Sequence, residues 1–177
     1  MTSELNPALD PEPNPHATEE QVKAALEDTK LAQVLYHDWE AETYDEKWSI
    51  SFDDRCTSVV RDRFLHVLES TRRPGESLPF GRTLELGAGT GFFSLNLKLA
   101  GLVDEVHVSD LSPGMVEAAK ANARRLGFEI EGQVADAEAL PYEDDSFDLV
   151  VGHEAREALA VESVVLSAVC WISGREE

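Results

Sequence analysis

Glu85-Leu86-Gly87-Ala88-Gly89-Thr90-Gly91 sets three glycines at alternate positions, with an acid two residues ahead of the first. The run follows β-type residues at Thr83, Leu84 and Leu86 and opens into Phe92, Phe93, Leu95, Leu97 and Leu99, an apolar pattern that predicts a helix. A strand that empties through glycines into a helix start gathers free backbone N–H groups and the positive end of the helix dipole at one point. Glycine allows positive φ there and lets a ligand lie against bare backbone. The stretch therefore predicts a cofactor cradle after the first strand of an α/β fold. The plainer alternative is a tight strand-to-helix turn with no ligand.

The spacing narrows the cofactor. A dinucleotide fingerprint, G-x-G-x-x-G, needs a third glycine three positions after the second. Phe92 stands there instead, and the pattern is G-x-G-x-G with Glu85 ahead of it. A carboxylate beside a pyrophosphate is unfavourable, whereas it suits a ligand with a cationic amino or sulfonium end. At these residues the chain resembles the class I, Rossmann-like methyltransferases that use S-adenosylmethionine, whose first motif is an acid followed by G-x-G-x-G. The resemblance implies that Glu85, Gly87, Ala88, Gly89 and Gly91 form the cofactor cradle.

Three later segments extend the match. Val106-His107-Val108-Ser109-Asp110 alternates as a second strand and ends in an acid 23 positions after Gly87. That is close to the roughly 20-residue offset at which an acid reaches a ribose, and a carboxylate can accept from both ribose hydroxyls. Ser112 and Pro113 supply a helix cap and first turn by themselves, so Asp110 is not needed for capping. By resemblance Leu111 and Met115 wall the adenine, although Met115 equally reads as a core gap-filler. Asp136 and Ala137 take the place where an acid accepts from the adenine amino group and the next N–H donates to the ring. Phe147, Leu149, Val150 and Val151 read as a strand buried on both faces, with Asp148 structural. The match runs from about residue 83 to residue 153 and is similar to the small-molecule methyltransferases of ubiquinone and menaquinone biosynthesis.

Composition bounds the remaining choices. The 177 residues carry 42% hydrophobic and 28% charged residues, globular values. A net charge of −20 disfavours nucleic acid and anionic membrane surfaces. Cys56 and Cys170 fit no metal spacing, and no metal is expected. With no long apolar run and no basic-then-apolar leader pattern, the expected setting is a reducing cytoplasm.

Three regions are expected: a disordered tail over 1–17, a helical lid or extension over 18–80, and the cofactor domain over 81–177. Thr18 and Gln21 form a capping box before a helix carrying Val22, Ala25, Leu26, Val34 and Leu35. Val60, Phe64, Val67 and Leu68 mark a second helix that stops before Arg73-Pro74-Gly75. Tyr44, in the aromatic stretch between them, is the candidate lid residue over the pocket; the nearby aromatics Trp48 and Phe52 also read as helix-to-sheet packing.

The family fold has seven strands in the order 3-2-1-4-5-7-6. Four are expected here, at about 83–87, 104–110, 130–135 and 147–152, in a Rossmann-like three-layer sandwich with a mainly parallel, C-terminally truncated sheet. After His153 the resemblance is lost, and residues 161–171 are apolar without a clean period. The expectation is a gene truncated or frame-shifted after His153, against a genuine minimal domain. Strand four is then an open apolar edge and a predicted site of self-association. By family geometry His153 faces the transferred methyl and is the candidate for placing an acceptor or taking its proton; a hydrogen-bonded strand-end histidine is the alternative. The functional expectation is methyl transfer from S-adenosylmethionine to a small-molecule acceptor. The alternatives are a non-catalytic cofactor-binding protein and an NAD-dependent oxidoreductase.

Overall fold

The computed structural model describes residues 16–71, 77–152 and 169–171. Four helices come first: α1 (Glu19–Ala25), α2 (Thr29–Glu40), α3 (Tyr44–Lys47) and α4 (Asp54–Thr71). The chain then runs through β1 (Phe80–Leu86), α5 (Phe92–Leu99), β2 (Val103–Asp110), α6 (Pro113–Arg125), β3 (Glu131–Val134), β4 (Leu149–Gly152) and β5 (Val169–Trp171). Every pairing is parallel and the sheet order is β3-β2-β1-β4-β5. The chain steps outward from β1 to β3, then returns across β1 to β4. At that reversal the loops after β1 and β4 diverge, which is where open α/β sheets bind their ligands.

Strand alternation sorts the side chains. The register Thr83↔Val106, Glu85↔Val108 and Thr83↔Leu149 sets one face of the sheet, and Leu84↔His107 and Leu84↔Val150 the other. Val106, Val108, Leu149 and Val151 of the first face share a core with Phe80 and Val103 at the strand starts, Val60, Phe64 and Leu68 of α4, Phe93 and Leu97 of α5, and Ala119 of α6. Leu84, Leu86, Phe147 and Val150 form a smaller cluster opposite, flanked by Leu140 and Tyr142. Each fully buried Leu or Phe contributes about 1.5–3 kcal/mol relative to exposure. Phe64, fully buried on α4, therefore ties the N-terminal helices to the sheet, and truncating it to alanine costs about 3–5 kcal/mol.

Most local expectations find a counterpart. Thr18 and Gln21 exchange both capping-box bonds, at 3.2 and 2.9 Å. Ser112 caps α6 through the Met115 N–H, with Pro113 in the first turn. Asp148 is structural: its Oδ2 accepts the Arg82 N–H at 2.8 Å, and its own N–H donates to the Arg82 carbonyl. No described helix is long and apolar enough to cross a membrane.

Three expectations are corrected. The single helix expected after Thr18 is two, because Asp28 accepts the Lys30 and Leu31 N–H groups and starts α2 afresh. Phe147 is buried but lies two residues ahead of β4. Strand four is not an edge: β5 pairs along Val150, Val151 and Gly152, so the backbone groups proposed for self-association are already paired. A three-residue strand is too short to show a period of two, which is why it was illegible within 161–171. The expectation for residues 1–17 falls on a segment of which 1–15 lie outside the described residues.

Candidate functional site

The glycine loop joins β1 to α5 with Gly87, Gly89 and Gly91 at φ of 59, 51 and 81°. Gly91 is the N-cap of α5, and a Cβ there would lie 3.1 Å from Leu95 and 3.3 Å from Ala119. Glycine is demanded twice over, by space and by φ. A glycine cap has no side chain to offer the first helical N–H groups. Glu85 offers one instead. The β1 alternation turns it toward α5, where its Oε2 accepts the Ser94 N–H at 2.9 Å. It is 2% exposed, and burial, partly offset by the Ser94 and Phe93 donors, raises its pKa to about 7. The carboxylate expected to meet a ligand's cationic end therefore has almost no surface in the crevice, and its visible role is to cap α5.

Gly89 differs from Gly91. A Cβ on it would meet nothing within 4 Å, so the loop tip opens onto free space. Its N–H donates to Asp110 Oδ2 at 2.8 Å, and Asp110 Oδ1 accepts the Ser112 N–H at 2.9 Å. Asp110 thus pins the tip of the glycine loop to the start of α6. Two of its roughly four acceptor positions are used and two remain. Leu111, next in the chain, is half-buried, whereas Met115 is 1% exposed and packs as core. That burial is the placement the gap-filling reading of Met115 expects.

Asp136 is brought to the same end of the sheet, because the Ala135 N–H extends the β3 register onto the Asp110 carbonyl at 3.0 Å. Its Oδ1 accepts the Glu138 N–H, and its Oδ2 receives Lys30 Nζ from α2 at 2.5 Å. The Lys30 bond and the Glu138 N–H hold the Asp136 carboxyl below its ordinary pKa. Ala137 beside it is half-buried. Tyr44 begins α3 and packs edge-on to His37 and tilted against Trp48, with ring centroids 6.1 and 6.2 Å away. His153 lies outside the described residues.

Sequence reasoning missed the residues that fasten the N-terminal helices here. Asp38 Oδ1 accepts from the Ser112 hydroxyl and from the Gly114 N–H, at 2.8 Å for the latter. Asn122 Nδ2 donates both to Asp45 Oδ2 at 2.7 Å and to the Thr90 carbonyl at 3.0 Å, linking α3 to the glycine loop. Lys30 reaches Glu138 as well as Asp136. An Asn at a buried helix position is the one local signal that could have pointed to such a link.

Residues 83–169 match the family described as methyltransferase domain. The match continues 16 residues past His153, which corrects the expected loss of resemblance there. The chain is 37% identical over 118 residues to a malonyl-[acyl-carrier protein] O-methyltransferase of Halorhodospira halophila, covering 67% of this chain and 36% of that protein. It is 30% identical over 137 residues to the release factor glutamine methyltransferase of Bordetella pertussis, covering 67% of this chain and 48% of that one. The crystal structure of an S-adenosylmethionine-dependent methyltransferase from Clostridium acetobutylicum aligns at 24% identity and a TM-score of 0.46, over 64% of this chain and 42% of that chain. The chain spans 36% to 48% of the length of these two curated relatives.

Proposed function

We propose, from the match of residues 83–169 to the methyltransferase-domain family, that the chain is a class I methyltransferase that binds S-adenosylmethionine at the glycine loop and transfers the methyl group to a small-molecule acceptor. The observation that carries the reading is the clamp between Asp110 and Gly89. It holds a carboxylate with spare acceptor capacity beside a loop whose tip opens onto free space. That combination fits a ribose and its attached chain. Asp110 would hold the ribose hydroxyls, the loop backbone from Gly87 to Gly91 the methionine portion, and Asp136 and Ala137 the adenine edge.

When bound, the cofactor supplies an electrophilic methyl on a sulfonium, whose leaving group is a neutral thioether. The protein's part is alignment, proximity and exclusion of water. The two relatives' names give different acceptors, a malonyl group on a carrier protein and a release-factor glutamine. The net charge of −20 supports a small acceptor over a nucleic acid. A cytoplasmic setting is part of the proposal, supported by the free thiol of Cys56.

A thermal-shift panel with S-adenosylmethionine, S-adenosylhomocysteine and NAD tests the reading. Ligand at about a hundred times its dissociation constant stabilises by about 2.7 kcal/mol, or roughly 5–10 °C for a chain of this size. The first two ligands should give that shift. A response to NAD alone overturns the proposal.

A further inference from the structure

Between α4 and α5 runs a groove that neither the sheet nor the glycine loop uses. Arg55, Val59 and Arg63 follow one another at four-residue spacing on α4, so they share a face. Cys56 and Val60 complete that wall, and Phe92 and Phe93 in the first turn of α5 form the other. The walls are braced against each other. Thr57 Oγ1 donates to Asn96 Oδ1 at 2.8 Å, and the Phe52 and Phe92 rings pack with centroids 6.4 Å apart. The groove encloses about 180 Å³. That is below the roughly 300 Å³ at which pockets hold a drug-sized molecule, so it accepts a small molecule or the end of a longer one.

Its charge is out of keeping with the rest of the chain. Asp and Glu number 35 against 15 Lys and Arg, and a surface arginine in such a chain has many carboxylates to choose from. Yet among the described residues neither Arg55 nor Arg63 comes within ion-pair distance of a carboxylate, and Arg55 acts on Asp53 only through space. The bond recorded for the Arg55 guanidinium is to Cys56 Sγ at 3.8 Å. Between the two arginines Val59 remains 48% exposed. Two guanidinium groups thus flank an apolar floor that is only half covered.

We propose that this groove binds a small organic carboxylate, its apolar body on Val59 and Phe92 over the buried Val60 and Phe93, and its charge on the Arg55 or Arg63 guanidinium. A guanidinium matches a carboxylate in a planar, two-pronged contact that a lysine cannot make. An alkyl or aryl body supplies the remaining affinity by covering the floor. Phe92 and Phe93 follow Gly91 directly, so the groove adjoins the glycine loop, and its ligand is titrated independently of the loop's.

Cys56 sits in the groove and reports its occupancy. In a Cys170→Ser background, the rate of Cys56 alkylation by iodoacetamide, an uncharged reagent, is followed with octanoate or octanol as the probe. Octanoate should slow the reaction and octanol should need about tenfold more to do so, as befits a charge-assisted contact. The double variant Arg55→Gln, Arg63→Gln should weaken octanoate about tenfold. Val59→Asp, at an exposed position, keeps both arginines but puts a carboxylate on the floor, and should weaken it comparably. Alkylation indifferent to octanoate overturns the proposal, as does equal protection by octanol or unchanged affinity in either folded variant. Parallel S-adenosylmethionine titrations separate the two proposals. Octanoate binding alone leaves the groove and removes the methyltransferase reading, and S-adenosylmethionine binding alone does the reverse.

Discussion

Glu85 Oε2 accepts the backbone N–H of Ser94 at 2.9 Å, so a strand acid caps the helix that the glycine at its N-cap cannot. Burial raises that carboxyl from its ordinary value of 4.5 to about 7. Between those values the folded protein keeps a proton that the unfolded chain has already lost. The contribution is fully present below about pH 4.5 and is lost as pH rises through about 7, a change of about 3 kcal/mol. His107 works in the opposite direction, since burial lowers its pKa and the unfolded chain binds the extra proton. Glu85→Gln keeps an acceptor for Ser94 without the titration. Urea denaturation at roughly pH 5 and pH 8 should show wild type losing about 2.5 kcal/mol more than the variant across that interval. Equal losses in both proteins would contradict this account of Glu85.

Asp110 holds the loop and, by the proposed function, the ribose. Asp110→Asn retains one carbonyl acceptor for Gly89 or Ser112, so the domain should stay folded at a cost of about 1–2 kcal/mol. S-adenosylmethionine affinity should fall about tenfold, the worth of a charge-assisted hydrogen bond. Calorimetric titration reads it, and unchanged affinity removes Asp110 from the site.

The glycines at 89 and 91 should part company under substitution. Gly91→Ala meets Leu95 and Ala119 as well as a φ of 81°, and should cost about 2–3 kcal/mol of stability. Gly89→Ala meets only the left-handed backbone at φ 51°, costing about 1 kcal/mol. Its methyl would stand in the open space where the ligand is proposed to lie. Thermal melts should therefore rank Gly91→Ala as the less stable, and cofactor titration should rank Gly89→Ala as the weaker binder among variants that fold.

Lys30 joins α2 to Asp136 and Glu138 from an exposed position. Solvent screens such a pair, so Lys30→Ala should leave the melting temperature close to wild type. Its effect should be local. Amide hydrogen exchange over residues 29–40 should quicken in the variant, and added salt should reproduce the change in wild type. Exchange that stays at the wild-type rate would show that Lys30 does not hold α2 down.

What the sequence disclosed follows from how far apart the interacting residues lie. The Thr18–Gln21 capping box and the Ser112 cap close within three residues, and both were legible as patterns. The glycine loop was legible because its demands on φ and space fall within seven positions. The capping role of Glu85 was not legible, because a carboxylate next to a ligand loop and a carboxylate under a helix start have the same spacing. Lys30 with Asp136, Asp38 with Ser112, and Asn122 with Asp45 are 106, 74 and 77 positions apart. No local pattern specifies such pairs, since they exist only once α2 and α3 have docked on α6. β5 was hidden for the opposite reason, being too short to carry a period.

The Asn122 amide, with one hydrogen on Asp45 and the other on the Thr90 carbonyl, has a consequence for the order in which the protein assembles. α3 has no seat until β1, its glycine turn and α6 are in place, whereas those elements form their own core without it. Contacts of such sequence separation close late. The first three helices should therefore behave as a foldon subordinate to the sheet, last to lock during folding and first to open under native conditions. Each opening takes Asp45 from the Asn122 amide but leaves its other hydrogen on the Thr90 carbonyl, so α6 keeps its hold on the glycine turn while the N-terminal helices lift.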